Sequence, residues 1–185
     1  YVVLLVDVSG SMMPPDRLPL LKQGFRLFAQ QLRDEDRVAI VSYADGTRVV
    51  LEPTAGKEKG KILDAIDSLR GGGGTAGGEG LKRAYEMAER NFDPKAVNRV
   101  ILATDGDFNV GTVDQDALET LVADQRKTGI ALTTLGFGQG NYNDALAEQL
   151  ADVGDGNHAY IDTEREARKV LVQEMGATLM TIARD

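Results

Sequence analysis

Asp7, Ser9 and Ser11 are the residues whose types and spacing point most directly to chemistry. A carboxylate and two hydroxyls on alternate residues of one short loop can turn toward a single point. Such hard oxygen donors are the ligands that Mg²⁺, Mn²⁺ and Ca²⁺ prefer. Asp and Ser are also common in turns and at helix N-caps, so this D-x-S-x-S pattern alone leaves both interpretations open.

Two apolar runs predict where the carboxylates lie. Residues 2–6 read as a buried parallel strand that ends at Asp7, and residues 100–104 read as a second one that ends at Asp105. In doubly wound sheets, ligands bind beyond the carboxyl ends of the strands, where the strand order reverses. Thr75 lies in the glycine-rich stretch 71–78 before a helix, so its placement at the same edge rests on a weaker pattern.

The rest of the chain alternates between strand and helix patterns, which predicts a mostly parallel sheet covered on both faces. We expect an α/β fold of the doubly wound, Rossmann-like kind: a three-layer sandwich whose six-stranded, mainly parallel sheet has one antiparallel edge strand. The predicted strands are 2–6, 38–43, 47–51, 100–104, 130–136 and 157–161, with Pro53 ending the third. The predicted helices are 15–33, 57–69, 79–91, 115–128, 143–152 and 164–182.

Composition narrows the function classes. The chain has 185 residues, a length that fits one globular domain, 1–185, and it looks like a domain excised from a longer protein. Its net charge of -8 argues against nucleic acid or an anionic membrane as the main partner. It has no Cys, which excludes a disulfide framework and a thiolate nucleophile. No apolar run is long enough to insert directly into a membrane.

Three segments of the chain together resemble a known family. They look like the metal-ion-dependent adhesion site (MIDAS) of von Willebrand factor type A (VWA) domains, and the resemblance covers essentially the whole chain. Stretches 12–20, 103–111 and 152–157 are similar to the bacterial YfbK-like branch, which implies a cell-envelope or extracellular parent protein. The three MIDAS-like segments are Asp7-Val8-Ser9-Gly10-Ser11, Thr75 and Thr104-Asp105-Gly106.

The resemblance implies a ligand set and a function. Ser9 and Ser11 would ligate one divalent cation, with Mg²⁺ expected and Mn²⁺ or Ca²⁺ as alternatives. Asp7 and Asp105 would act directly or through water, and Thr75 would join when a ligand is bound. A monomeric domain would then bind an Asp or Glu carboxylate of a protein partner, in trans or from its own parent chain, as an adhesion or scaffolding module without enzymatic activity. In several VWA domains the last helix shifts as the metal site changes.

Two other functions remain open at the sequence level. Asp7 and Asp105 would also suit a metal-assisted phosphatase or hydrolase, although no Lys follows a late strand at the expected edge. A site that no longer binds metal is the third interpretation.

Two further features are interpreted structurally. The spacing Gly72-x-Gly74-x-x-Gly77 matches a dinucleotide fingerprint but follows a helix instead of a strand. His158, the only histidine, has no metal-ligand spacing around it, so we expect a packed or surface residue.

Overall fold

The computed structural model describes residues 1–73, 77–105, 114–138 and 145–174. The strands are β1 (Val2–Asp7), β2 (Arg37–Tyr43), β3 (Thr47–Ala55), β4 (Asn98–Thr104), β5 (Ile130–Phe137) and β6 (His158–Ile161). The helices are α1 (Leu18–Gln30), α2 (Lys59–Asp67), α3 (Gly77–Arg90), α4 (Gln115–Thr128), α5 (Ala145–Val153) and α6 (Glu164–Arg168). A 3₁₀ turn spans Gly10–Met12, and a π-helical segment, Lys169–Glu174, follows α6.

The strands form one six-stranded sheet in the order β3-β2-β1-β4-β5-β6. All neighbouring strands are parallel except β2 and β3, which pair antiparallel at one edge. The chain winds from β1 toward β2 and later returns to the other side of β1 at β4, so the strand order reverses between these two strands. The predicted fold class is therefore confirmed, and Asp7 and Asp105 follow the two strands that define the reversal.

Alternate residues of the central strands supply two separate apolar layers. Leu4, Val6 and Ile101 pack with α1, α2 and α6 on one face. Leu5 and Leu102 pack with α3, α4 and α5 on the other. Because both faces are covered, β1 is buried along its whole length, and its polar end residue is held in a dry environment.

Several element boundaries differ from the prediction by a few residues, and two of the differences involve prolines. The helix expected from Pro15 begins at Leu18, because residues 15–17 form a turn and Pro19 takes a position in the first helical turn. The third strand does not end at Pro53, since β3 continues to Ala55. Its pairing with β2 shifts register near this proline, and an edge strand with such an irregularity tolerates a residue that cannot donate a backbone hydrogen bond.

The last predicted helix is shorter than expected within the described residues. It is α-helical only over Glu164–Arg168, where Thr163 accepts a hydrogen bond from the Glu166 amide as the N-cap. It then widens into the π-helical segment, which still packs on α1, and residues 175–182 lie outside the described part. Gly24 of α1 makes this contact close, because a Cβ there would lie 2.6 Å from Leu171 Cδ1.

Candidate metal site

The carboxyl ends of β1 and β4 bring two buried carboxylates to one place. Asp7 is 1% exposed and Asp105 is 2% exposed. The last residue of β4, Thr104, is fully buried and donates its hydroxyl to Asp7 Oδ2 at 3.4 Å. The two acids that the sequence placed at one edge of the sheet are thus brought together by strand pairing.

The loop after β1 turns its polar atoms toward the same place. The Ser9 amide donates to Asp7 Oδ1 at 2.8 Å, which folds the loop back over the carboxylate. The Ser9 and Ser11 hydroxyl oxygens lie 3.0 Å apart. Met12, buried beneath the 3₁₀ turn, anchors this arrangement. Ser9 is buried whereas Ser11 is exposed, so the pair runs from the interior to solvent.

The glycine-rich stretch closes one side of this loop. The Gly10 amide donates to the Gly73 carbonyl at 3.1 Å, and the Gly72 amide donates to the Val8 carbonyl at 2.8 Å. Gly72 and Gly73 both have positive φ angles, 148° and 89°, a conformation that glycine adopts without strain. These glycines therefore permit close backbone approach to the Asp7 loop. Thr75 itself lies outside the described residues.

Arg17 is a residue of this site that the sequence analysis missed. Its Nη1 donates to the Ser11 carbonyl at 2.8 Å and to Asp105 Oδ2 at 3.3 Å. The Asp105 side chain is 3% exposed and that of Arg17 is 25% exposed, so this ion pair is largely shielded from water. The only sequence signal was a basic residue close to the Asp-Ser-Ser loop, which does not predict a contact across the sheet.

Asp7 has a different environment from Asp105. Burial raises the pKa of the Asp7 carboxyl, and the negative charge of Asp105 acts in the same direction, while the Ser9 and Thr104 donors oppose it. Within the described ranges, no basic side chain bonds to or ion-pairs with Asp7. The Arg17 guanidinium thus contacts one of these two buried acids, Asp105, and not Asp7.

This donor set fits a hard divalent cation. Two carboxylates and two hydroxyls are oxygen ligands, and together with water they suit Mg²⁺, which keeps several waters when the protein supplies few ligands. In the part of the chain that the structure describes, no three His, Cys, Asp or Glu side chains converge, so the acids alone do not form a metal cluster. A divalent cation at this place would therefore need further oxygen ligands, and the adjacent Ser9 and Ser11 hydroxyls are of a suitable type.

The molecule is thus a three-layer α/β domain with a cluster of buried polar side chains at the strand-order reversal. A sequence model described as the von Willebrand factor type A domain matches residues 2–174. The chain belongs to this family.

Similar proteins fall in the same family. Over 184 residues the chain is 47% identical to "Uncharacterized protein YfbK" of Escherichia coli K12, covering 100% of this chain and 32% of the relative. The chain thus spans about a third of the length of that relative. The predicted YfbK-like resemblance is confirmed.

Two solved structures share the fold. A von Willebrand factor type A protein from Catenulispora acidiphila superposes with a TM-score of 0.79 at 23% identity, covering 97% of this chain and 42% of that one. Proximal thread matrix protein 1 from the mussel byssus, described with a zinc-occupied MIDAS motif, gives a TM-score of 0.74 at 21% identity, covering 96% and 45%. At these identities the two structures support the fold.

Proposed function

We propose that this domain binds a protein partner through a divalent cation held by Asp7, Ser9, Ser11 and Asp105, with Thr75 as a further ligand. The observation that carries the proposal is the burial of Asp7 and Asp105 at one place together with two adjacent hydroxyls, while Asp7 lacks a basic partner within the described residues. Burying two like charges is expensive unless a cation compensates them.

The chain's own residues define the ligand that this site accepts. Asp7 is fixed by Ser9 and Thr104, so its carboxylate keeps its orientation before any ion arrives. Ser11 lies at the solvent side of the loop, where a partner can approach. When bound, a divalent cation supplies an electrophilic position that an Asp or Glu carboxylate of a partner fills.

The family and its neighbours support a binding role over a catalytic one. The mussel protein is described with zinc in its MIDAS motif, which supports a divalent cation at such a site, and Mg²⁺ remains the ion we propose here. None of the described residues around Asp7 offers a feature that favours the phosphatase or hydrolase alternative. A monomeric domain and an envelope or extracellular location stay predictions from the family resemblance. No helix in the described ranges is long and apolar enough to span a bilayer.

Calorimetric titration of the chelator-treated protein with Mg²⁺, Mn²⁺ and Ca²⁺ tests the proposal. We expect saturable binding near one equivalent, and its loss in Ser9→Ala/Ser11→Ala. Thr128→Ala is the matched control, because its hydroxyl bonds to the Gln125 carbonyl at the end of α4, away from the site. Absence of binding in the native protein, or equal binding in the double variant, would contradict the proposal.

A further inference from the structure

A groove opens beside the candidate metal site, on the side of the β2-β3 hairpin. It has a volume of about 350 Å³ and lies between β3 and the residues that follow α2. Val8, which stands between Asp7 and Ser9, forms part of its wall. The Gly72 amide bonds to the Val8 carbonyl, so this wall is tied to the loop of the site. The groove and the proposed ligands are therefore one residue apart along the chain.

The charge of this groove is opposite to that of the molecule. The whole chain carries a net charge of -8, yet the charged side chains among the described residues lining the groove are two arginines, Arg48 and Arg70. Both are exposed. Apolar atoms of Val8, Val50 and Leu69 line the space with them. A ligand that fits this space is partly apolar and negatively charged.

The two guanidinium groups are available for an anionic ligand. Arg48 is paired in register with Ser42, and no acid among the described residues forms an ion pair with it. Arg70 donates to the backbone carbonyls of Asp67 and Leu69, which hold it at the groove without neutralising its charge. The Asp67 carboxylate pairs with Arg26.

The nearest acid of the hairpin turn faces another element. Asp45 lies against Gly73, because a Cβ built on that glycine would be 2.9 Å from Asp45 Oδ2. Its carboxylate therefore sits over the glycine-rich stretch, whereas the groove is lined by its neighbours Ala44 and Gly46.

We infer that the partner of this domain is an acidic peptide segment held at two points. One carboxylate fills the open position of the cation, and a second acidic side chain a few residues away lies in the groove between Arg48 and Arg70. An extended peptide advances about 3.3 Å per residue, so acids spaced two to four residues apart span from the loop of the site into the adjacent groove. This inference rests on the proposed function, since the first point of attachment is the metal site.

Fluorescence anisotropy with labelled synthetic peptides tests the inference on the full 185-residue chain in Mg²⁺. The probes are Gly/Ser peptides with one Asp, and peptides with two Asp residues separated by one, two or three residues. We expect the best two-Asp peptide to bind about tenfold tighter than the one-Asp peptide, a difference of about 1.4 kcal/mol.

Arginine variants separate the groove from the metal site. Arg48→Gln/Arg70→Gln is expected to remove the tenfold advantage of the two-Asp peptide while leaving Mg²⁺ binding and the one-Asp peptide unchanged. The control Arg90→Gln/Arg165→Gln removes the same charge from exposed positions on α3 and α6 and is expected to keep the advantage. The advantage should also shrink with added salt, since exposed charges are screened.

The outcomes distinguish the two proposals. Mg²⁺-dependent binding of one-Asp peptides with no gain from a second acid would overturn the groove inference alone. A loss of advantage in the control variant as large as in the groove variant would do the same. Failure of Mg²⁺ to bind, or acidic-peptide binding that does not require Mg²⁺, would overturn the proposed function and the inference that rests on it.

Discussion

The two ends of β4 carry buried charges in different settings. At the carboxyl end, Asp105 lies near a second buried acid, Asp7, and forms an ion pair with Arg17. At the amino end, Arg99 is 7% exposed, donates to the Thr133 hydroxyl, and has a buried Nε without a partner in the described ranges. Burial lowers the pKa of Arg99, and the more distant Asp155 opposes this.

We propose that the buried acids at the carboxyl end form a binding site, whereas the buried arginine at the amino end has a structural role. Burying the lone guanidinium of Arg99 costs free energy. The Thr133 hydroxyl and the charge of Asp155 offset part of that cost. Two acids that converge repel each other, and the surrounding residues fix them close together nevertheless. We interpret the converging acids at the carboxyl end as destabilising the metal-free fold in exchange for a preformed cation site. We interpret the buried arginine at the amino end as a structural residue without a role in binding.

The largest expected effect is at Asp7. Asp7→Asn should reduce Mg²⁺ affinity at least 100-fold, because it removes one of two carboxylates while keeping the shape of the side chain. In chelator, the same variant should be as stable as the native protein or more stable by roughly 1 kcal/mol, since a buried charge is gone. Calorimetry and urea unfolding measure the two effects. Asp64→Asn on α2 is an exposed control, and a large loss of chelator-state stability in Asp7→Asn would contradict our interpretation.

Replacing Arg17 should have a smaller effect on Mg²⁺ affinity than replacing Asp7, and in the opposite direction. Arg17→Met frees Asp105 from its ion pair, so we expect Mg²⁺ to bind about tenfold tighter, a change of about 1.4 kcal/mol. Without metal the variant should lose roughly 1–3 kcal/mol of stability, because a hydrogen bond to a buried charged group is removed. Titration and urea unfolding in chelator measure both.

A matched variant tests whether the Arg17 effect is local. Arg26→Met breaks the exposed ion pair with Asp67 on the surface of α1. It should change stability by less than about 1 kcal/mol and leave metal affinity as it is. Weaker Mg²⁺ binding in Arg17→Met would show that the guanidinium assists the cation instead of competing with it.

Arg99 tests the other side of the comparison. Arg99→Met should leave Mg²⁺ affinity unchanged and alter the free energy of unfolding by no more than about 1 kcal/mol, because a packed apolar side chain often replaces a buried charge without loss. Urea unfolding measures this, and Arg99→Ala, which leaves a cavity, should be clearly less stable. A large loss of unfolding free energy in Arg99→Met would show that the protein compensates the buried Arg99 charge as well as an ion pair would.

His158 gives the smallest effect and concerns pH. Its Nδ1 bonds with the Thr134 hydroxyl, its ring stacks edge-on against Tyr160 at 4.6 Å, and burial lowers its pKa while Glu148 opposes the shift. The unfolded chain therefore takes up this proton first as the pH falls below about 6.5, so stability declines from there until the folded protein is also protonated. Above that range the effect vanishes.

Unfolding at several pH values checks the role of His158. His158→Gln should make the unfolding free energy depend less steeply on pH between about pH 6.5 and 5. The change in slope should correspond to less than one proton taken up on unfolding. An unchanged slope would show that other groups cause the decline. The expectation that this histidine is a packed or surface residue is consistent with its partial burial and its contacts on β5 and β6.

The sequence predicted those parts of the site that depend on local pattern. Residues 2–6 and 100–104 are continuous apolar runs that each end in Asp, so both strands and both acids were placed correctly by hydrophobic pattern and strand-end logic. The contact of Arg17 with Asp105 joins residues 88 positions apart and depends on how α1 begins after its turn, which no local pattern encodes. The prediction that Pro53 ends the third strand was wrong, because an edge strand tolerates a proline that a central strand would not.

The assignment of the ligands themselves stays a prediction. The structure brings Asp7, Ser9, Ser11 and Asp105 together, whereas Thr75 lies outside the described residues.

The separation of the site's parts along the chain has a consequence for synthesis. Asp7 and its hydrogen-bond partner Thr104 are 97 residues apart, so a chain emerging from the ribosome carries half of the site long before the other half exists. An ion held by both halves therefore could not guide early folding. The pairing of β1 with β2 can form earlier, but its pairing with β4 joins distant parts of the chain, a feature of slow, non-local topologies. Once β4 has paired, an ion that binds only the folded chain stabilises it by mass action. Cation uptake would then report that β4 has taken its place beside β1.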